Sequence, residues 1–103
     1  MGPSGSSSDR PERARLDVWL WRARFAKTRT LASDLARSGH VRINGQRATT
    51  AAHPVRVGDT LTIALARDVR VVRVAALGER RGPATEARDL YVDHGAEQRS
   101  PSP

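Results

Sequence analysis

Residues 15–48, RLDVWLWRARFAKTRTLASDLARSGHVRINGQRA, decide the fold of this chain. The first part, 15–26, has helical periodicity: Leu16, Trp19, Leu20 and Ala23 share one face and point to a core. Val18, Trp21 and Phe25 make a second apolar stripe nearly opposite. A helix apolar on two sides is either sandwiched or offers one side to a partner; burial of Trp21 and Phe25 under another segment is favoured over base stacking. Thr28 is placed to N-cap a second helix over 29–38, and Gly39 to stop it. Leu31, Ala32, Leu35 and Ala36 form its expected buried stripe, while Arg29, Ser33 and Arg37 line the other side. A link of about two residues makes the two helices a tight hairpin.

Asn44-Gly45 lies between alternating residues, the pattern of a two-residue β-hairpin in which both turn positions need positive φ. That register sets Ile43 opposite Gln46, Arg42 opposite Arg47 and Val41 opposite Ala48, with Val41 and Ile43 inward and both arginines outward. Beyond residue 48 the chain reads mostly as β. A strand over 55–57 leads to a Gly58-Asp59 turn, and one over 60–65 carries Leu61, Ile63 and Leu65 on one face. A strand over 69–77 has a Val71-Val72 pair suggesting a bulge or burial on both faces. Residues 83–91 suit a short helix with Pro83 in its first turn and Ala84, Ala87, Leu90 and Tyr91 inward. The expected fold is α+β: a helical hairpin packed on a small, mainly antiparallel sheet, with a short C-terminal helix. A domain over 14–93 is expected between Ser/Pro/Gly-rich disordered tails at 1–13 and 94–103.

The chain has 103 residues, enough for one domain. It contains no cysteine, which excludes disulfide frameworks, thiolate metal sites and cysteine nucleophiles. No stretch is long and apolar enough for a membrane span or signal peptide, so a cytoplasmic protein without membrane contact is expected. His40, His53 and His94 are scattered and make no metal-ligand pattern. No nucleophile motif or Gly-rich phosphate loop is present, so neither an enzyme nor a cofactor is expected.

The charge is unevenly distributed. Lysine and arginine number 18 against 11 aspartate and glutamate, a net +7. Residues 15–47 hold eight basic and two acidic residues, whereas 48–103 hold eight and seven. A concentrated field of this kind attracts polyanions. Arg42 and Arg47 opposite one another cost about 0.2–1 kcal/mol, a cost that a phosphate between them converts into charge-assisted hydrogen bonds. Lys27, Thr28 and Arg29 stand at a helix start, where free N–H groups and the dipole favour an anion and where added cations oppose helix stability. Arg15 repeats this logic at the first helix, and His40 beside the hairpin is a further polar contact.

These residues together resemble the S4 RNA-binding domain. Its pattern is matched by Arg15-Leu16-Asp17, by Thr28-Arg29, by Gly39 to Gly45 with Val41, Ile43 and Asn44 in place, and by Val55 followed by Gly58-Asp59. Within that superfamily, Trp19-Leu20-Trp21, Ala23-Arg24-Phe25 and Lys27-Thr28-Arg29 resemble the ribosome-associated heat shock protein 15 family, as do Arg80-Arg81, Pro83-Ala84, Glu86-Ala87 and Leu90-Tyr91. The resemblance implies a protein that binds ribosomal RNA on the large subunit and helps to rescue stalled subunits carrying peptidyl-tRNA; a monomer is expected. A general binder of structured RNA, an accessory module for an RNA-modifying enzyme and a structural ribosomal protein are the alternatives. With the charge pattern, the resemblance selects as RNA-facing residues Arg15, Arg22, Lys27, Thr28, Arg29, Ser33, Arg37, His40, Arg42, Asn44, Gly45, Gln46 and Arg47. Members of the family continue into a long basic tail, and this chain instead reads SPSP at 100–103, so contacts from such a tail are not expected.

Overall fold

The first helix, α1 (Leu16–Arg22), lacks a side-chain cap at its N-terminus. Its first N–H groups are satisfied by distant backbone instead: Leu16 donates to the His53 carbonyl at 2.9 Å and Asp17 to that of Ala51 at 3.1 Å. Just before it, β1 (Ala14–Arg15) pairs antiparallel with β4 (Pro54–Val55). Arg15 therefore belongs to a strand, not to the first helical turn as expected. These contacts come from a computed structural model that describes residues 12–66 and 68–94. The tails expected at 1–13 and 94–103 lie, but for residues 12, 13 and 94, outside the described residues.

α1 ends earlier than its periodicity predicts. Arg24 adopts φ 67°, its N–H donates to the Trp21 carbonyl, and the Phe25 N–H reaches back to Leu20 at 2.9 Å. This is a Schellman-type stop with arginine where glycine is usual. It costs left-handed strain and folds Phe25 back onto Trp19, with ring centroids 5.9 Å apart. The link to the next helix therefore runs over 23–28, longer than the two residues expected.

Helix α2 (Arg29–Arg37) starts as expected, the Thr28 side chain accepting from the Leu31 N–H at 3.0 Å. Ala32 and Ala36 are fully buried, and their small side chains let α2 approach α1 closely. Leu35 is half-buried, whereas Leu31, expected in the stripe, is 51% exposed because it lies at the edge of that face.

The main sheet runs in the order β3-β2-β5-β6-β7, antiparallel throughout, formed by β2 (Val41–Ile43), β3 (Gln46–Arg47), β5 (Thr60–Ala64), β6 (Val69–Val74) and β7 (Tyr91–Asp93). The hairpin register is the expected one, Ile43 opposite Gln46 and Arg42 opposite Arg47, with Asn44 at φ 52° and Gly45 at φ 88°. Of the expected 55–57 strand only Val55 is in a strand, together with Pro54 in β4, and Val57 is exposed. β6 has no bulge: pairing with β5 is unbroken from Thr60 opposite Arg73 to Ala64 opposite Val69. Helix α3 (Ala84–Arg88) buries Ala87 but leaves Ala84 exposed, and Leu90 is buried beyond its end. Tyr91 falls in β7, a strand the helical reading of 83–91 absorbed. There its ring packs 4.9 Å from Phe25 and edge-on to Trp19. Trp19 is the largest fully buried side chain, and its indole N–H donates to the Ala76 carbonyl at 2.9 Å.

Two turns are tied together by Asn44. Its amide donates to Asp59 Oδ1 at 3.1 Å, its Oδ1 accepts from the Thr60 N–H at 2.9 Å, and Asp59 Oδ2 accepts from the Arg56 N–H at 2.9 Å. Asn44→Gly keeps the positive φ, removes this tie and adds backbone freedom to the unfolded chain, so it should destabilise the fold by about 1–2 kcal/mol. Asp59→Ala should cost a similar amount. The double variant, followed by urea unfolding, should lose less than the sum of the two, because each single change already breaks the shared bond.

Candidate nucleic-acid interface

Asp17 organises the surface at the start of α2. It is 3% exposed, the one buried charged side chain among the described residues, and a carboxylate so placed must be paired. Arg15 bonds both its oxygens, Nε donating to Oδ1 at 3.0 Å and Nη2 to Oδ2 at 3.2 Å, and Arg29 approaches Oδ2 as well, at 3.6 Å. Burial alone pushes the Asp17 carboxyl up. The Arg15 hydrogen bond and charge, the Val18 N–H and the Arg29 charge together outweigh burial and hold it below the usual aspartate value. Both arginine side chains remain about half exposed, at 54% and 49%, so each can serve Asp17 and an external anion.

Arg29 also lies over the Trp21 ring, 5.7 Å from its centroid. Lys27 is exposed beside it and Thr28 caps the helix. The N-terminus of α2 thus combines its free N–H groups with Arg15, Lys27 and Arg29, against a single carboxylate. That arrangement can hold a phosphate.

A second cluster lies at the other end of α2, roughly 13 Å along the helix axis. Arg42 and Arg47 are both exposed on the outer face of the sheet, and the Arg47 stem packs over Gly39, where a Cβ would lie 3.4 Å from its Cδ. Gly45 and Gln46 are exposed at the turn, and His40 Nδ1 lies 2.8 Å from Ser38 Oγ. Arg37 is exposed but paired with Asp34 at 2.8 Å, and Ser33 is half-buried on α2.

Two of the expected contacts are turned to other work. Arg22 points inward, donating to the carbonyls of Gly78 at 2.9 Å and Leu77 at 3.4 Å, with its Nε buried. The Asn44 side chain is occupied by Asp59 and Thr60. Conversely, the sequence reading gave Asp17 and Arg81 no role beyond their place in the family resemblance. Arg81 lies over Trp21 at 5.6 Å and donates to the Trp21 and Ala26 carbonyls. The exposed basic residues therefore form two clusters, one at each end of α2, each rich in arginine.

The lowered Asp17 value has a consequence for stability. Because its folded value lies below its unfolded one, Asp17 contributes stability above the ordinary carboxylate range, and that contribution is lost as pH falls through the folded value. Asp17→Asn should therefore be less stable than the parent at neutral pH, with the gap constant above about pH 5 and closing below about pH 4. Urea midpoints measured from pH 7 down to pH 2 check this, and a gap that stays constant into acid would contradict it.

The S4 domain family pattern matches residues 14–61. Heat shock protein 15 of Escherichia coli strain K12 is 48% identical over 79 residues, 77% of this chain, and the chain spans 59% of that relative's length. Small ribosomal subunit protein uS4 of Beijerinckia indica is 34% identical over 84 residues, 79% of this chain and 38% of that protein. Among solved structures, the trimeric heat shock protein 15 of Vibrio cholerae matches with a TM-score of 0.78 and 37% identity, covering 85% of this chain and 90% of that one. Its match extends well past residue 61, into the strands and helix that follow the S4 segment. The chain belongs to the heat shock protein 15 family, built on an S4 domain.

Proposed function

We propose that this protein binds ribosomal RNA on the large ribosomal subunit, as a cytoplasmic monomer, and acts there in the rescue of stalled subunits that carry peptidyl-tRNA. The observation that carries the reading is the set of exposed cations, Arg15, Lys27 and Arg29, gathered at a helix N-terminus around one buried carboxylate. Likeness to heat shock protein 15, and more distantly to a ribosomal-subunit protein, supports ribosomal RNA as the polyanion. Arg42 and Arg47 form the second contact, and Gly45, Gln46 and His40 supply polar groups beside them. Ser33 and Arg37 flank the path along α2 between the clusters. Thr28 acts through the helix start it caps, and Asn44 through the hairpin tip it holds. Arg22, directed inward, supports the surface from behind.

Sedimentation tests this. The protein should co-migrate with free large subunits, more so after translation is stalled, while unbound protein runs as an 11.3 kDa species. Equal distribution over all RNA fractions favours a general binder of structured RNA, and migration at three times that mass favours a trimer like the Vibrio cholerae relative. Lys27→Glu changes an exposed side chain that has no ion pair among the described residues, so it should weaken co-migration at least tenfold with the fold intact. Affinity should fall with salt by about 0.7–0.9 in log–log slope for each phosphate neutralised.

The hairpin gives a trade-off between binding and stability. Arg42→Glu turns a like-charged cross-strand pair into an attractive one, so it should raise stability by about 0.2–1 kcal/mol while weakening RNA binding. Thermal melting and the binding assay, run on the same variant, should move in opposite directions. A variant that is both more stable and equally tight removes the hairpin from the interface.

A further inference from the structure

The connection over 23–28 carries Lys27 and Thr28, yet it contains little structure of its own. Its second residue is the strained Arg24, and it has no strand or helix to rigidify it. Its support comes from residues 76–82, which lie beyond the segment matched by the S4 pattern. Trp19 donates to the Ala76 carbonyl and Arg22 to that of Gly78, each at 2.9 Å, and Arg24 Nε donates to Gly82, also at 2.9 Å. Arg81 returns the contact: its Nη1 donates both to the Trp21 carbonyl, in the last turn of α1, and to the Ala26 carbonyl at 3.1 Å, one residue before Lys27. One guanidinium thus spans the connection from the end of α1 nearly to the cap of α2. The same guanidinium lies over the Trp21 ring, which Arg29 also contacts. Arg81, Trp21, Arg29, Asp17 and Arg15 form a continuous chain of contacts leading to the anion-binding surface.

From this geometry we propose that Arg81 is a positioning residue for RNA binding: it holds the 23–28 connection closed and thereby sets the placement of Lys27, the Thr28 cap and Arg29. The proposal rests on the RNA-binding reading above. Arg81 is half-buried and its bonds run to backbone carbonyls, so it acts through the connection and not by touching phosphate. Its neighbour Arg80 is engaged elsewhere, with both Glu86 oxygens at 3.2 and 3.0 Å, and serves as the control.

The test measures affinity for purified large ribosomal subunits across a salt series, together with amide hydrogen exchange of the free protein. Arg81→Ala should bind about tenfold more weakly, the loss expected when a preorganised site becomes loose. Its log–log salt slope should equal the parent's, since no phosphate contact is removed. The Phe25 and Leu31 amides, which mark the two ends of the connection, should exchange faster while those of β5 and β6 keep their protection. Arg80→Ala should leave affinity and exchange unchanged. If Arg81→Ala binds like the parent while Lys27→Glu is weakened, the positioning role is wrong and the RNA-binding reading stands. A slope reduced by about 0.7–0.9 makes Arg81 a direct phosphate contact and also overturns the proposal. If Lys27→Glu binds like the parent, the surface itself was misread. Should Arg81→Ala fail to fold, Arg81→Lys keeps the charge, but its side chain is one bond shorter and lacks the planar guanidinium that lies over Trp21. Intermediate affinity, parental slope and faster Phe25 exchange then support the proposal, and parental exchange overturns it.

Discussion

A buried carboxylate flanked by two half-exposed guanidiniums is the constraint on which the candidate interface depends. Asp17 is nearly inaccessible to water, and an unpaired charge in that position would be strongly destabilising. Folding therefore orders Arg15, which comes from β1, and Arg29, which comes from α2. The rotamer freedom of these long side chains is given up in the folding step, so less remains to be lost when an anion arrives. With Lys27 nearby, the local charge stays positive after Asp17 is counted, and the α2 dipole adds to it.

The rest of the surface shows the same tension between stability and charge. Cations crowd a helix N-terminus, Arg42 faces Arg47 across the hairpin, and Arg24 occupies a left-handed conformation. Each departs from a local preference, and each lies in or beside the segment that gathers the basic residues. Such departures concentrate where a surface is built for a ligand and are tolerated because neighbouring structure over-determines them. Here that structure is the 76–82 segment against α1, and the Asn44–Asp59 tie between two turns.

The hairpin was legible residue by residue, down to its register, because Asn-Gly restricts the turn and the alternation around it leaves one buried face. The start of α2 was equally legible, since a threonine cap acts within four residues. The end of α1 was not. Periodicity through Phe25 continues the helical pattern, but Phe25 instead folds back to stack on Trp19 and pack against Tyr91. Tyr91 was misplaced for a related reason: its partner strand, β6, lies well back in the chain, and pairing with it overrides a short helical pattern.

Elements with local causes could be read from the residues alone: the cap, the turn, the apolar faces, and the gathering of positive charge between Arg15 and Arg47. Which of those charges faces outward depends on how distant segments pack. Arg22 turns to the Gly78 carbonyl, Arg29 joins Asp17 from another helix, and Arg81 arrives from the far end of the domain. The physical reason is reach. Propensity and capping act over a few residues, whereas a guanidinium at the end of a long side chain finds its carboxylate or carbonyl only after the backbone has brought distant segments together.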